Sequence, residues 1–203
     1  MTDQPAHHDV DDLGRCIREV AEFLAEDTEW GAPPQMFALV PTALLAESDP
    51  ALLDRLDESG LTPVEQDPLY DDADLHPAAL GEILSDLSWP ESVAGCLLVR
   101  EIVVLPPGSD PDPGMATHNP QRRDARLFAA VTRNGHGLCL LQMREPEPSP
   151  DAEGDADGVA AEADAGSAPH ADPFSEVQLL RYEGLGEDLL DGLRATFDEA
   201  DDS

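Results

Sequence analysis

The sequence predicts an α+β domain, a largely antiparallel sheet of about four to five strands packed by four to five helices. Three observations carry this. Helical patterns dominate the first half of the chain and β-like runs crowd into the second, an order that segregates helices from sheet. Residues 89–105 (WPESVAGCLLVREIVVL) form the longest apolar β-like run, stopped on both sides by proline. Residues 125–133 and 138–144 are two further β-like runs joined across Asn134-Gly135, a dipeptide that favours a two-residue hairpin loop.

Residues 1–9 are polar and expected to be disordered. A helix follows from residue 11 or 12 to 26, with Leu13, Cys16, Ile17, Val20, Phe23 and Leu24 at helical spacing and acids at the positive end of its dipole. Trp30-Gly31 and Pro33-Pro34 turn residues 27–35 into a loop. Residues 36–40 (MFALV) read as a short buried strand ended by Pro41. Thr42 then opens a helical turn to Glu47, and Asp49-Pro50 opens a helix over 50–58, with Asp as N-cap and proline at the first helical position.

Residues 61–75 carry two prolines and five acids and read as a surface connection. Residues 77–87 form an amphipathic helix through Leu80, Ile83, Leu84 and Leu87. In the central run, both alternating sets are apolar until Arg100 and Glu101, as in an interior strand covered on two sides near its start. In the hairpin, a two-residue loop sets Arg133 opposite His136, Val131 opposite Leu138 and Ala129 opposite Leu140, and both faces are apolar. Residues 145–172 hold nine acids and no basic residue, with Val159 their only large aliphatic side chain. Such a segment cannot bury enough apolar area to offset its ordering entropy, so it is expected to be a disordered insertion. A short strand over 177–182 and a helix over 187–197 complete one domain, 10–144 plus 173–199, before the tail at 200–203.

The composition narrows function. Of 203 residues, 44 are Asp or Glu and 11 are Arg, with no Lys, for a net charge of −33. That balance opposes direct binding to nucleic-acid phosphates or to an anionic membrane. It fits either a solvated acidic surface or an acidic nucleic-acid mimic. Cys16, Cys96 and Cys139 are scattered in apolar runs, an odd count without CxxC spacing, and read as buried hydrophobes. No stretch reaches the ~18 apolar residues of a membrane span, and the start of the sequence lacks a signal pattern, so a cytoplasmic location and no membrane insertion are expected.

The six histidines, His7, His8, His76, His118, His136 and His170, form no HExxH or HxH pair. GxSxG, GxxxxGK and GxGxxG are absent, and a Walker lysine is impossible without lysine. No catalytic residue, cofactor or metal is therefore assigned. Two features stand out from the acidic background. Arg122, Arg123 and Arg126 cluster ahead of the hairpin, either as a patch for docking a partner through guanidinium forks or as neutralisation of neighbouring acids. The 61–70 loop (LTPVEQDPLY) offers Glu65, Gln66 and Tyr70 for a pocket, or simply packs on the core.

Three segments, FALVPTALLAESDPALLDRL (37–56), LTPVEQDPL (61–69) and WPESVAGCLLVREIVVLPPG (89–108), together resemble an uncharacterised family of actinobacterial proteins of about this length. The hairpin AVTRNGHGLCLLQMR (130–144) and the closing Leu-rich helix agree with it. The family has no assigned activity, so the resemblance implies no catalytic residue; residues 145–172 depart from its pattern. The resulting expectation is an accessory protein that works by contact with another protein rather than by catalysis. The alternatives are an enzyme or small-molecule binder using the 61–70 loop, and the nucleic-acid mimic.

Overall fold

The computed structural model describes residues 8–48, 59–67, 77–106, 108, 119–145 and 177–197. Helix α1 spans Val10–Asp27. Its start is a capping box. The Asp9 carboxylate accepts the N–H groups of Asp11 and Asp12 (2.9 and 3.2 Å), and the Asp12 carboxylate returns to the Asp9 N–H (3.3 Å), satisfying donors that the helix leaves open. Leu13, Cys16, Ile17, Val20, Ala21 and Leu24 form its buried stripe. Phe23, expected on that stripe, is 45% exposed. At about 100° per residue it lies roughly 90° from the stripe's centre, on the flank opposite Ala21.

Strand β1 is Gln35–Pro41, followed by helix α2, Thr42–Ser48. Strand β2 is Leu61–Glu65, helix α3 is Pro77–Ser85 and strand β3 is Gly95–Val104. Strands β4 (Arg123–Thr132), β5 (Gly137–Met143) and β6 (Leu179–Leu180) precede helix α4, Glu187–Ala195. The strands form one sheet in the order β2-β1-β3-β4-β5-β6, with every pairing antiparallel. The fold is thus α+β, with six strands rather than four to five and, among the described residues, four helices. The helix expected over 50–58 and the insertion expected over 145–172 lie outside the described residues, apart from Glu145.

The strand that the sequence reading missed is β2, placed there in a surface connection. Pro63 argues against an interior strand, but β2 is an edge. Gln66 N–H bonds the Met36 carbonyl and Thr42 N–H bonds the Gly60 carbonyl (2.9 and 3.2 Å). Even-numbered residues of β2 therefore face β1, and Leu61, Pro63 and Glu65 direct their backbone groups outward, where a missing N–H breaks no ladder bond.

The hairpin also departs from expectation, by one residue of register. Val131 pairs with Gly137, Ala130 with Leu138 and Ala129 with Cys139. Thr132 N–H reaches the His136 carbonyl and Gly135 N–H reaches the Thr132 carbonyl, both at 2.9 Å, with Gly135 at φ 95°. The loop is three residues, Arg133 to Gly135, closed by a left-handed glycine, instead of a two-residue type I′ turn. The Thr132 hydroxyl selects it by accepting the His136 N–H at 3.1 Å and donating to Asn134 Oδ1.

The core lies on both faces of the sheet. One cluster joins the α1 stripe to Phe37, Leu39, Leu97, Val99, Phe128 and Ala130. The other joins Leu80 and Leu84 of α3, Trp89, and Leu190, Leu193 and Phe197 of the α4 region to Met36, Cys96, Leu98, Ala129 and Val131. β3 and β4 are thus covered on both sides, as their two-sided apolar pattern requires, and each fully buried Leu or Ile contributes about 1.5–3 kcal/mol. A Cβ on Gly95 would stand 2.5 Å from the Val131 carbonyl oxygen, so the close approach of β3 and β4 there depends on glycine.

Candidate functional site

The chemistry-bearing side chains gather at the end of the sheet where β3 finishes and β4 begins. Arg100, Arg122, Arg123, Arg126 and Arg144, five of the chain's eleven basic residues, lie in its last rows. In a chain of net charge −33 this end is the local exception.

The three arginines singled out by sequence do not act together. Arg126 is 3% exposed and points to the α1 side. Its Nη1 donates to the Leu24 carbonyl (3.1 Å), which also takes the Thr28 N–H, and its Nη2 to the carbonyls of Thr28 and Glu29 just past α1 (2.8 and 3.1 Å), placing a cation at the negative end of the helix. Glu101, directly across on β3, approaches Arg126 Nε at 3.7 Å. Burial lowers the pKa of this guanidinium from its ordinary value, while Glu101 acts in the opposite direction. Trp30 lies beneath it, 4.5 Å from the guanidinium carbon to the ring centre, and Arg144 approaches the same ring at 5.4 Å. The Gly31 N–H fixes the Glu101 carboxylate from the loop side at 2.9 and 3.0 Å.

Arg122 and Arg123 are exposed. A turn presents them: Asn119 Oδ1 accepts the Gln121 N–H (2.9 Å) and the Asn119 carbonyl accepts the Arg122 N–H (3.1 Å). Arg123 then opens β4 opposite Val104. Between this turn and the Arg126 anchor, the pair stands on a fixed strand end.

A shallow cleft opens beside Arg126 and Glu101, bounded by Thr28, Pro33 and Gln35, with a volume of about 10 Å³. That holds one water molecule at most and is far below the size of a metabolite pocket. Glu65 and Gln66 do not line the cleft; they lie at the end of the edge strand, opposite Phe37 and Met36 of β1. Glu65 is exposed, Gln66 turns its amide back onto the Val64 and Glu65 carbonyls (2.9 and 3.2 Å), and Tyr70 lies outside the described residues. Among the described residues, no three His, Cys, Asp or Glu side chains converge as metal ligands.

A family model for PPA1309-like proteins matches residues 13–198, a span that takes in both core clusters and the arginine end. The chain belongs to the PPA1309-like family. No curated protein and no solved structure matches it.

A second arginine centre in this PPA1309-like chain escaped the sequence reading. Arg133, just past β4, donates to the carbonyls of Trp89 (3.1 Å), Pro90 (2.8 Å) and Val93 (3.2 Å) and lies 4.8 Å from the Phe197 ring centre. Trp89 in turn donates to Thr196 Oγ1 at 3.0 Å and stacks on Phe197 with centroids 6.3 Å apart. For Arg126 the available signal was alternation: Glu101 follows Leu97 and Val99, and Arg126 precedes Phe128 and Ala130, on the α1 face, which marks a polar pair at the end of a buried row. The three cysteines are buried and form no disulfide. Burial pushes the Cys96 thiol up to about 12 and the Cys139 thiol up to about 11, holding both protonated at neutral pH. No helix among the described residues is long and apolar enough to cross a membrane.

Proposed function

We propose that this PPA1309-like protein acts by docking another protein, and that the contact is made through Arg122 and Arg123. The observation that supports this is the division of labour within the arginine cluster. Arg126 is consumed by backbone carbonyls and makes the end of β4 rigid, and that rigid end holds two exposed guanidinium groups. Planar forks on a preorganised support suit carboxylate recognition, so the partner surface is acidic. The other ionisable groups serve the scaffold: buried Arg126 and exposed Arg133 bind carbonyls, and buried Cys96 and Cys139 are held as thiols.

Affinity capture on the full chain tests the proposal. Arg122→Glu with Arg123→Glu is expected to remove a captured partner that the parent protein retains, with no change in melting temperature. If every partner survives the double reversal, the docking role is wrong. The two alternatives gain less from the geometry. Glu65 and Gln66 do not line the cleft, and the outer face of α1 mixes Arg15 and Arg18 with Glu19 and Glu22, where a phosphate mimic calls for one sign.

A further inference from the structure

We infer that Asn134-Gly135 is a self-modification site, a deamidation held in check by the contact between the hairpin loop and the start of α1, and one that opens this contact for good once it occurs.

The chemistry follows from the dipeptide. The Gly135 backbone nitrogen attacks Asn134 Cγ, a C–N bond closes a five-membered succinimide, and Nδ2 leaves as ammonia with the proton that Gly135 gave up. Water then adds to either ring carbonyl and opens the ring to Asp or to isoaspartate, in which the chain runs through Cβ and Cγ. Water is the only co-reactant. Glycine favours closure because it puts no side chain in the way, and the loop is open to solvent: Asn134 is exposed, and a Cβ on Gly135 would meet nothing within 4 Å.

In the folded chain each reacting group is engaged. The Gly135 N–H donates to the Thr132 carbonyl at 2.9 Å, which holds the proton that must leave. Asn134 Oδ1 accepts the Thr132 hydroxyl, and Nδ2 donates to the His8 carbonyl at 3.1 Å, so both ends of the amide are pinned and Cγ is kept from swinging onto the Gly135 nitrogen. His8 is the separable member of this set, since it lies outside the hairpin. It is 8% exposed, with Nδ1 3.5 Å from Asp12 Oδ2 in the first turn of α1. Gly60, just ahead of β2, closes the other side, where a Cβ would stand 3.4 Å from the same nitrogen. The hairpin loop, the start of α1 and the approach to β2 thus meet at His8. The reaction proceeds from the fraction of molecules in which this junction is open. Its product cannot close the junction again. A carboxylate has no N–H for the His8 carbonyl, and it sets a further negative charge beside a helix start that already carries Asp9, Asp11 and Asp12.

The test follows full-length protein at mildly alkaline pH, with peptide mapping by mass spectrometry to quantify Asp and isoaspartate at position 134. The folded parent is expected to convert at about one-tenth the rate of the same chain in urea, or slower. Asp12→Ala removes the contact to His8 and part of the capping box while leaving the loop untouched; it should raise the folded rate about fivefold, and Asp9→Ala should do the same. Asn134→Asp, the equivalent of the product, should speed amide hydrogen exchange at residues 11–13 about tenfold and leave β3 and β4 unchanged. Equal rates in the folded chain and in urea overturn the inference. So do folded Asp12→Ala and Asp9→Ala proteins that convert no faster than the parent, or an Asn134→Asp protein whose first helical turn exchanges as the parent's does.

Discussion

Arg126 and Arg133 stand toward opposite ends of β4, an odd number of positions apart, and so reach opposite faces of the sheet. Both place a guanidinium over an aromatic ring and donate to three backbone carbonyls. Their surroundings differ. Arg126 is buried, faces a carboxylate and closes the C-terminal end of α1. Arg133 is exposed and holds the turn before β3 with carbonyls alone. One strand thus fastens both layers, the first by a buried guanidinium and the second by a solvated clip. A desolvated charge is costly once its partner is removed, whereas a solvated one is simply rehydrated.

The contrast can be broken most directly at Arg126. Arg126→Met is expected to destabilise the fold by about 3 kcal/mol in urea unfolding, because three carbonyls and Glu101 lose their donor together. Arg126→Lys should recover less than half, since a point charge cannot serve the same fork. The α3/α4 face has its own weakness, at alkaline pH. The folded Cys96 and Cys139 thiols keep their protons until about 12 and about 11, whereas the unfolded thiols release theirs above the ordinary value of 9.0. Stability from this source is complete below pH 9 and falls as pH rises, by about 1.4 kcal/mol per unit for each thiol. Cys139→Ala should halve that slope between pH 9 and 11; an unchanged slope would show that the thiols do not set it. Smallest is Arg133→Ala, expected to cost about 1.5 kcal/mol. If it costs as much as Arg126→Met, burial is not what separates the two clamps.

What could be read from sequence followed pattern length. The α1 stripe and the two-sided β3 run were legible because each repeats a period over many residues. β2 was hidden by Pro63 and the acids around it, which mark a loop unless the strand is known to be an edge. The hairpin slip came from reading Asn134-Gly135 as the whole loop, when the Thr132 hydroxyl extends it to three residues. The arginine cluster was visible, but its division was not. The partners of Arg126 are carbonyls at Leu24, Thr28 and Glu29, about a hundred residues away, and a carbonyl has no sequence signature. Arg133 and Trp89 were missed for the same reason.

Pro63 has a consequence beyond this molecule. A neighbouring copy arriving edge-on at β2 meets a pyrrolidine ring where the middle rung of a shared ladder needs a hydrogen. The Leu61 carbonyl beside it is already taken by the Cys16 thiol and the Ser59 hydroxyl. Growth of a continuous intermolecular sheet from that side stalls at its second rung. The edge that one proline conceals in the sequence is also an edge that the same proline denies to fibrils.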